Sequence, residues 1–313
     1  VIAFLPTLLF FFFFIAILED VGYLSRIAYI MDNFMHKIGL HGKSFVPLFL
    51  GFGCNVPAIM GTRIIEDKKA RFLTILLTPF IPCSARFAVL AFLATPFFGK
   101  YSFLAMMALI LINIATVFLI GKILTSTSFK GVKSAFIMEL PLYHKPNFKT
   151  VFVYVYVNLK SFIVKAASII VIVSCIVWFL SAYPSGKIDE SYLAQFGKFV
   201  EKSGALMGFS DWRAITALAT SFIAKENTIA TFGVLLDVSE NETLGKKIAE
   251  IFTIPSAFAF LVVQMLFVPC LATTTVIYRE TGLKWTFYSL VLHLTVSLFS
   301  GIVTFQFLRL FLA

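Results

Sequence analysis

Charged side chains are scarce in this sequence, and their scarcity sets its class before any motif is considered. Asp, Glu, Lys and Arg make up 13% of the 313 residues, whereas 59% are hydrophobic and 38 are phenylalanine. Soluble domains carry about 25% charged residues. The shortage of charge excludes an ordinary soluble domain and predicts an all-α polytopic membrane protein in contact with lipid.

Cysteine is also rare, and all four cysteines lie within apolar stretches: Cys54, Cys83, Cys175 and Cys270. This placement excludes the disulfide framework of a small secreted domain. We predict that all four are free thiols. Histidine pairs with the i, i+4 spacing of a helical metal site are lacking as well, so no histidine is chosen as a ligand.

A nucleotide-binding phosphate loop is missing from the sequence. The run 39–44 ends in Gly-Lys-Ser but lacks the four-residue spacer of such a loop. The net charge of +10 would suit nucleic acid in a soluble protein, but here Lys and Arg collect in loops between apolar segments. That distribution is typical of membrane topology, so we expect no nucleic-acid partner.

Apolar runs long enough to cross about 30 Å of hydrocarbon predict the membrane helices. Uninterrupted runs cover 1–24, 102–124, 161–183 and 285–308, and interrupted runs cover 72–97 and 254–277. Two further segments, 45–61 and 205–236, are too broken or too polar to be plain spans. We predict that each is a re-entrant hairpin or a discontinuous helix, which membranes tolerate where protein or a water-lined cavity satisfies the freed backbone.

Basic residues are distributed unevenly between the two sides of the predicted helices. Loops 25–44, 62–71, 125–165 and 278–284 carry 15 Lys and Arg, against 6 in the other loops. The richer side is predicted to be cytoplasmic. Residues 25–38 have a helical apolar stripe, which predicts an amphipathic helix on that face.

A short motif occurs twice, inside an apolar span each time. Residues 80–85 read Phe-Ile-Pro-Cys-Ser-Ala, and residues 267–272 read Phe-Val-Pro-Cys-Leu-Ala. We predict two inverted-topology repeats, at 1–124 and 161–313, joined by a cytoplasmic or interfacial connector at 125–160. Inverted repeats place a binding site near the midplane between them.

Five motifs, together spread over nearly the whole chain, resemble one known family: Glu-Asp-Val-Gly-Tyr-Leu-Ser-Arg at 19–26, Gly-Lys-Ser-Phe-Val-Pro at 42–47, Gly-Phe-Gly-Cys-Asn-Val-Pro at 51–57, Met-Glu-Leu-Pro-Leu-Tyr-His at 138–144 and Pro-Cys-Leu-Ala-Thr-Thr at 269–274. The chain resembles the membrane region of FeoB, the bacterial ferrous iron transporter family. The resemblance implies Fe²⁺ as the transported substrate, two Gate-type repeats and a location in the bacterial cytoplasmic (inner) membrane.

The same resemblance implies a larger assembly. The family has an amino-terminal cytoplasmic GTPase domain, so GTP and Mg²⁺ would bind to a domain absent from this sequence, and the present segment would be a permease rather than an enzyme. FeoA-like cytoplasmic proteins are expected partners, and a homo-oligomer is an expected state.

Six residues at the breaks are the candidate metal ligands of a transport path: Cys54, Cys83, Glu226, Cys270, Asn55 and Asn227. When the two repeats are aligned so that Asn55 matches Asn227, Cys54 aligns with Glu226. Fe²⁺ accepts thiolate and carboxylate ligands, and a carboxylate at membrane depth is costly and usually functional.

Structural roles for several of these residues, and a different transported substrate, stay open as alternatives. A buried cysteine is often only a small hydrophobe, which we favour for Cys175. Glu226 could pair with Lys225 or Arg213, and Arg86 is favoured as a structural partner. The alternative function is transport of nucleosides or another small organic solute, because Gate-type repeats occur in such proteins too and a fold does not fix its substrate.

Overall fold

The computed structural model describes residues 5–127, 145–157, 204–209, 211–236 and 241–312, with isolated positions between 159 and 198. Regular elements within these ranges are helical, and no strand occurs in them. The predicted all-α class is confirmed. Most of the predicted span 161–183, and residues 128–144 of the connector, lie outside the described residues.

Seven helices form the first half, which we define as residues 5–127: α1 (Leu5–Asp20), α2 (Tyr23–Ile38), α3 (Phe45–Gly51), α4 (Asn55–Gly61), α5 (Lys68–Leu77), α6 (Ser84–Phe98) and α7 (Ser102–Thr127). The predicted amphipathic helix is α2. It buries Leu24, Ala28 and Met35 against the protein and leaves Ile30 and Phe34 exposed.

The connector contributes α8 (Phe148–Val157). Six helices are described in the second half, which we define as residues 204–312: α9 (Trp212–Thr220), α10 (Asn227–Leu235), α11 (Asn241–Ile251), α12 (Ile254–Leu266), α13 (Leu271–Thr281) and α14 (Leu283–Leu312).

Three helical stretches of the described chain are long and apolar enough to cross a membrane: Lys68–Thr127, Ile254–Thr281 and Leu283–Phe311. The first comprises α5 to α7, and the second comprises α12 and α13. They coincide with the predicted runs at 72–97, 102–124, 254–277 and 285–308. A polytopic membrane protein is therefore the class that both sequence and structure indicate.

Both segments that were expected to be broken are broken. In the first, α3 and α4 have seven residues each and are separated by residues 52–54. In the second, α9 and α10 have nine residues each and are separated by residues 221–226. At a rise of about 1.5 Å per residue, such helices are about 10–14 Å long, so none crosses the hydrocarbon alone.

The described part of the connector packs along α1. Val151 and Val155 of α8 lie in one apolar cluster with Phe12 and Ala16 of α1. At the end of α1, Asp20 accepts a hydrogen bond from the Asn147 backbone N–H at 2.7 Å. Whether this part of the connector lies on the cytoplasmic side stays a prediction.

The two halves contact each other through several helix pairs. Helix α4 packs on α13, where Ile59 and Ile277 share a buried cluster, and α6 packs on α11 and α12. Glu280 at the end of α13 forms ion pairs with Arg63 and Arg71 of the first half. Among the short helices, α4 is thus held against the other half.

The most extensive helix contact in the second half joins α12 and α14. It depends on a small residue, because a Cβ placed on Gly301 would come 2.4 Å from the Val263 side chain. Close approach over small residues is the usual packing mode of membrane helices, where no hydrophobic driving force acts between them.

Candidate cation path

Four of the six candidate residues occupy the same position in their local structure. Cys54, Cys83, Glu226 and Cys270 each stand at the N-cap of a short or interrupted helix: α4, α6, α10 and α13 respectively. None of the four side chains caps its own helix. Each of the four residues therefore lies at a backbone break.

The breaks are linked to the Pro-Cys motifs by equivalent backbone hydrogen bonds. In the first half, the Ser84 N–H donates to the Gly53 carbonyl at 3.2 Å, and in the second the Leu271 N–H donates to the Phe222 carbonyl at 2.7 Å. Gly53 and Phe222 are each the second residue after the preceding short helix. The first bond brings Cys83 next to the break of Cys54, and the second brings Cys270 next to the break of Glu226.

The three predicted ligand thiols are free, and none is fully exposed. Cys54, Cys83 and Cys270 lie close enough to one another for a negative charge on one thiol to disfavour a negative charge on another. Cys54 also packs against the α1–α8 cluster, and the Cys270 Sγ lies 3.1 Å from the Thr273 hydroxyl. Cys175, by contrast, is exposed.

Glu226 makes no ion pair with any described residue. The two expected partners point elsewhere. Lys225 donates to the Val268 carbonyl at 2.6 Å, and the Arg213 guanidinium lies over the Trp212 ring at 5.8 Å. The Glu226 carboxylate is half-buried at the break. It lacks, among the described residues, the ion-pair partner that a purely structural role would require.

The two asparagines have different surroundings. Asn55 is buried, and its Nδ2 donates to the Ile81 carbonyl at 3.4 Å. Its Oδ1 is buried without a hydrogen-bond partner and lies near Gly51. Asn227 is the first residue of α10 and is only partly buried. Asn55 is thus tied to the first Pro-Cys motif, whereas Asn227 is not tied to the second.

Arg86 has the structural role that was favoured from the sequence. It is buried, and its guanidinium donates to the Pro79 carbonyl at 2.6 Å and to the Phe267 carbonyl of the other half at 2.5 Å. The Phe80 carbonyl, also in the first half, accepts a hydrogen bond from the Asn113 amide at 2.8 Å. Asn113 could have been suspected as a buried amide in the middle of the apolar helix α7.

His293 is a buried polar residue that the sequence did not single out. Its Nδ1 lies 2.7 Å from the Ser289 carbonyl, and its ring stacks on Phe80 at 3.9 Å between centroids. A carbonyl only accepts, so Nδ1 is the donor. Nε2 then carries a lone pair, and it is buried without a partner. The sequence gave no reason to select His293, because no second histidine lies at helical i, i+4 spacing from it.

No ready-made metal cage is present in the described part of the chain. Nowhere in it do three or more His, Cys, Asp or Glu side chains stand together so as to hold a metal ion. The structure thus brings the three thiols into one neighbourhood without forming a coordination sphere. Metal ligation by the six candidates stays a prediction.

Comparison with known proteins gives two family matches. A model of the Gate family, described as nucleoside recognition, matches residues 1–97 and 163–284. A second model, described as the C terminus of ferrous iron transport protein B, matches residues 106–157. No solved structure matches the chain.

Curated relatives align over nearly all of the chain. The Fe(2+) transporter FeoB of Methanocaldococcus jannaschii is 40% identical over 97% of the chain and 48% of its own length, and that of Staphylococcus aureus strain MSSA476 is 38% identical over 99% and 47%. An Fe(2+) transport protein A/Fe(2+) transporter FeoB fusion protein of Porphyromonas gingivalis is 36% identical over 93% of the chain and 41% of its own. The chain spans less than half the length of these relatives.

Proposed function

Because the chain belongs to the Gate family and to the carboxyl-terminal membrane part of the FeoB family, we propose that it is the membrane pathway of a ferrous iron transporter. The observation that carries the proposal is the position of three thiols at N-caps of broken or interrupted helices, with Glu226 at a fourth N-cap. Many transporters place ion sites where helices are interrupted, because freed backbone groups and helix ends are then available at membrane depth.

The chemistry of the candidate ligands suits a transported Fe²⁺. Thiolate, imidazole and carboxylate all bind Fe²⁺, and the Irving–Williams order places Fe²⁺ below Co²⁺, Ni²⁺, Cu²⁺ and Zn²⁺ at any given site. A tight cage would therefore retain the wrong metals. Thiols that share a neighbourhood without a preformed cage are compatible with brief, partial ligation and release.

The proposal includes the arrangement of the two halves as inverted repeats. Its support is the matching backbone link in each half, where the residue after the Pro-Cys pair donates to the second residue after a short helix. A solved structure of the whole membrane region would test it. If no pseudo-two-fold axis in that structure related α6 to α13, the inverted repeat would be excluded.

We also propose that GTP and Mg²⁺ bind elsewhere in the full-length protein and control access to this pathway in the bacterial cytoplasmic membrane. An FeoA-like protein is a proposed partner, since the Porphyromonas gingivalis relative carries both names in one fusion. Homo-oligomer formation is proposed on the family resemblance alone.

Uptake by the full-length protein in cells tests the function directly. We expect Cys54→Ala and Glu226→Ala to reduce Fe²⁺ uptake by about tenfold or more, because each removes a proposed metal ligand, whereas Cys175→Ala keeps wild-type uptake. Membrane expression must be matched by immunoblot. Equal uptake by all three variants would overturn the assignment of Cys54 and Glu226.

Nucleoside transport is the competing function, and the description of the Gate model is the observation that favours it. A nucleoside site needs aromatic stacking and amide hydrogen bonds and gains nothing from thiols. Labelled nucleoside and ⁵⁵Fe²⁺ should be offered to the same vesicles. Saturable nucleoside uptake without Fe²⁺ uptake would replace the proposal.

A further inference from the structure

An ion-pair cluster joins the two halves at the far ends of two helices that begin at candidate thiols. Glu280 lies in the last turn of α13 and pairs with Arg63, just after α4, and with Arg71 of α5. The Arg63 Nε donates to the carboxylate at 3.0 Å. We refer to Glu280, Arg63 and Arg71 as the Glu280 cluster, and it connects residues more than 200 positions apart in the chain.

The position of Glu280 is unfavourable for a carboxylate within its own helix. The last turn carries the negative end of the helix dipole, which disfavours an acidic side chain there. The Glu280 side chain is also only 6% exposed, and burying a carboxylate is costly unless a cation pairs with it. Both of its printed ion pairs come from the first half. The end of α13 is therefore held in place by groups outside the second half.

The cluster fixes how α4 and α13 lie against each other. Cys54 is the N-cap of α4 and Cys270 that of α13, and the two helices pack through Ile59 and Ile277. Apolar contact is non-directional, so packing alone leaves such helices able to slide, whereas an ion pair fixes their register. At a rise of about 1.5 Å per residue, Glu280 is about 15 Å along α13 from Cys270, outside the proposed ligand set.

We propose, on the basis of the proposed iron transport, that the Glu280 cluster is a latch, which holds α4 against α13 and keeps the path between Cys54 and Cys270 closed. When the latch opens, the two helices are free to move apart, and their N-cap thiols separate. The cluster lies where loops 62–71 and 278–284 meet, on the side that the sequence predicts to be cytoplasmic. Arg63 is 61% exposed, so water reaches the latch without disturbing the apolar packing below it.

Thiol labelling of the full-length protein in lipid nanodiscs tests the latch without any metal. A small water-soluble maleimide is applied to wild type, Glu280→Gln and Arg63→Gln, and mass spectrometry gives the labelling rate of each cysteine. Glu66→Gln is the matched control, because it breaks an ion pair with Lys43 that lies entirely within the first half. Cys175 is exposed and serves as the internal reference in every sample.

We expect Cys54 and Cys270 to be labelled at least about fivefold faster in Glu280→Gln than in wild type, because labelling follows the population of the open form. Arg63→Gln should give a smaller increase, since one ion pair remains. The control variant and the reference cysteine should match wild type. Unchanged labelling of Cys54 and Cys270 in Glu280→Gln, with only a lower melting temperature, would show a static clamp and overturn the proposal.

Two further outcomes separate the latch from the transported substrate. If Glu280→Gln does not fold, Arg63→Gln decides by the same measurement: faster labelling of the two thiols supports the latch, and unchanged labelling overturns it. Fe²⁺ uptake by the wild type is measured in parallel. Faster labelling in the variants without any Fe²⁺ uptake by the wild type means that the proposed iron transport fails, whereas Fe²⁺ uptake with unchanged labelling removes only the latch.

Discussion

The two Pro-Cys loops, Phe80–Cys83 in the first half and Phe267–Cys270 in the second, meet the same backbone requirement with different charges. The carbonyls of Phe80 and Ile81 accept from two neutral amides, whereas those of Phe267 and Val268 accept from the Arg86 guanidinium and the Lys225 Nζ. A helix break at membrane depth must satisfy its freed carbonyls. The comparison shows that this need fixes the presence of a donor but not its charge.

The two loops differ in the type of side chain that donates to their carbonyls. Neutral amides satisfy the carbonyls of the first loop, whereas the second loop relies on two basic residues, Arg86 and Lys225. The Arg86 guanidinium lies close enough to Cys83 and Cys270 to interact with both electrostatically, in the region where we propose that a cation passes. The following predictions test this contrast, beginning with the largest expected effect.

Arg86→Met should cause the largest loss of stability. The substitution leaves the buried carbonyls of Pro79 and Phe267 without their donor, and each unsatisfied group costs about 1–3 kcal/mol, so about 4 kcal/mol is expected. Thermal unfolding in detergent measures it, with the exposed Arg309→Met as control. A melting temperature equal to that of the control would mean that Arg86 does not join the two loops.

Glu280→Gln should cost about 2 kcal/mol, because it breaks ion pairs of a carboxylate that is only 6% exposed. The figure is below that of a fully buried pair, since Arg63 and Arg71 are themselves 61% and 27% exposed. The same unfolding assay checks it. No loss of stability would show that α13 is held to the first half by apolar packing alone.

Asn113→Leu should cost about 1–2 kcal/mol, less than Arg86→Met, because one neutral donor to one carbonyl is removed. Thr116→Val on the same helix is the control, since its hydroxyl bonds only to the preceding turn at Ile112. If Asn113→Leu were as damaging as Arg86→Met, charge would not distinguish the two loops.

Glu66→Gln should have the smallest effect, and it completes the comparison with Glu280. Glu66 pairs with Lys43 at 2.8 Å, but its side chain is 88% exposed, so water and salt screen the pair. We expect no resolvable change in melting temperature at neutral pH. A loss comparable to that of Glu280→Gln would contradict the importance of burial.

The pH dependence of this pair has a definite sign. The hydrogen bond from Lys43 lowers the pKa of Glu66 in the folded protein. Its contribution is therefore present above the unfolded pKa of about 4.3 and is lost as pH falls through the lower folded pKa. Because no difference is resolvable at neutral pH and the contribution of the pair only shrinks as pH falls, the melting-temperature curves of wild type and Glu66→Gln should stay superimposed from pH 7 to pH 3. Curves that separate on acidification would contradict this sign.

Local sequence alone determined much of this protein. Low charge and long apolar runs predicted the all-α membrane class, because hydrocarbon requires every backbone group to be paired within a helix. Glycine, proline and polar residues within apolar runs predicted both breaks, and the repeated Pro-Cys motif located two equivalent loops. These features depend on residues close together in the chain.

Only the tertiary structure decided which groups meet. Arg86 finds the Phe267 carbonyl 181 positions away, Lys225 turns to Val268 instead of its neighbour Glu226, and His293 stacks on Phe80. Spacing along the chain could not predict these contacts, because a helix break frees carbonyls whose direction depends on how the two halves pack. A buried donor then pairs with whichever freed carbonyl lies within about 3 Å, since leaving either unpaired costs more than any local preference.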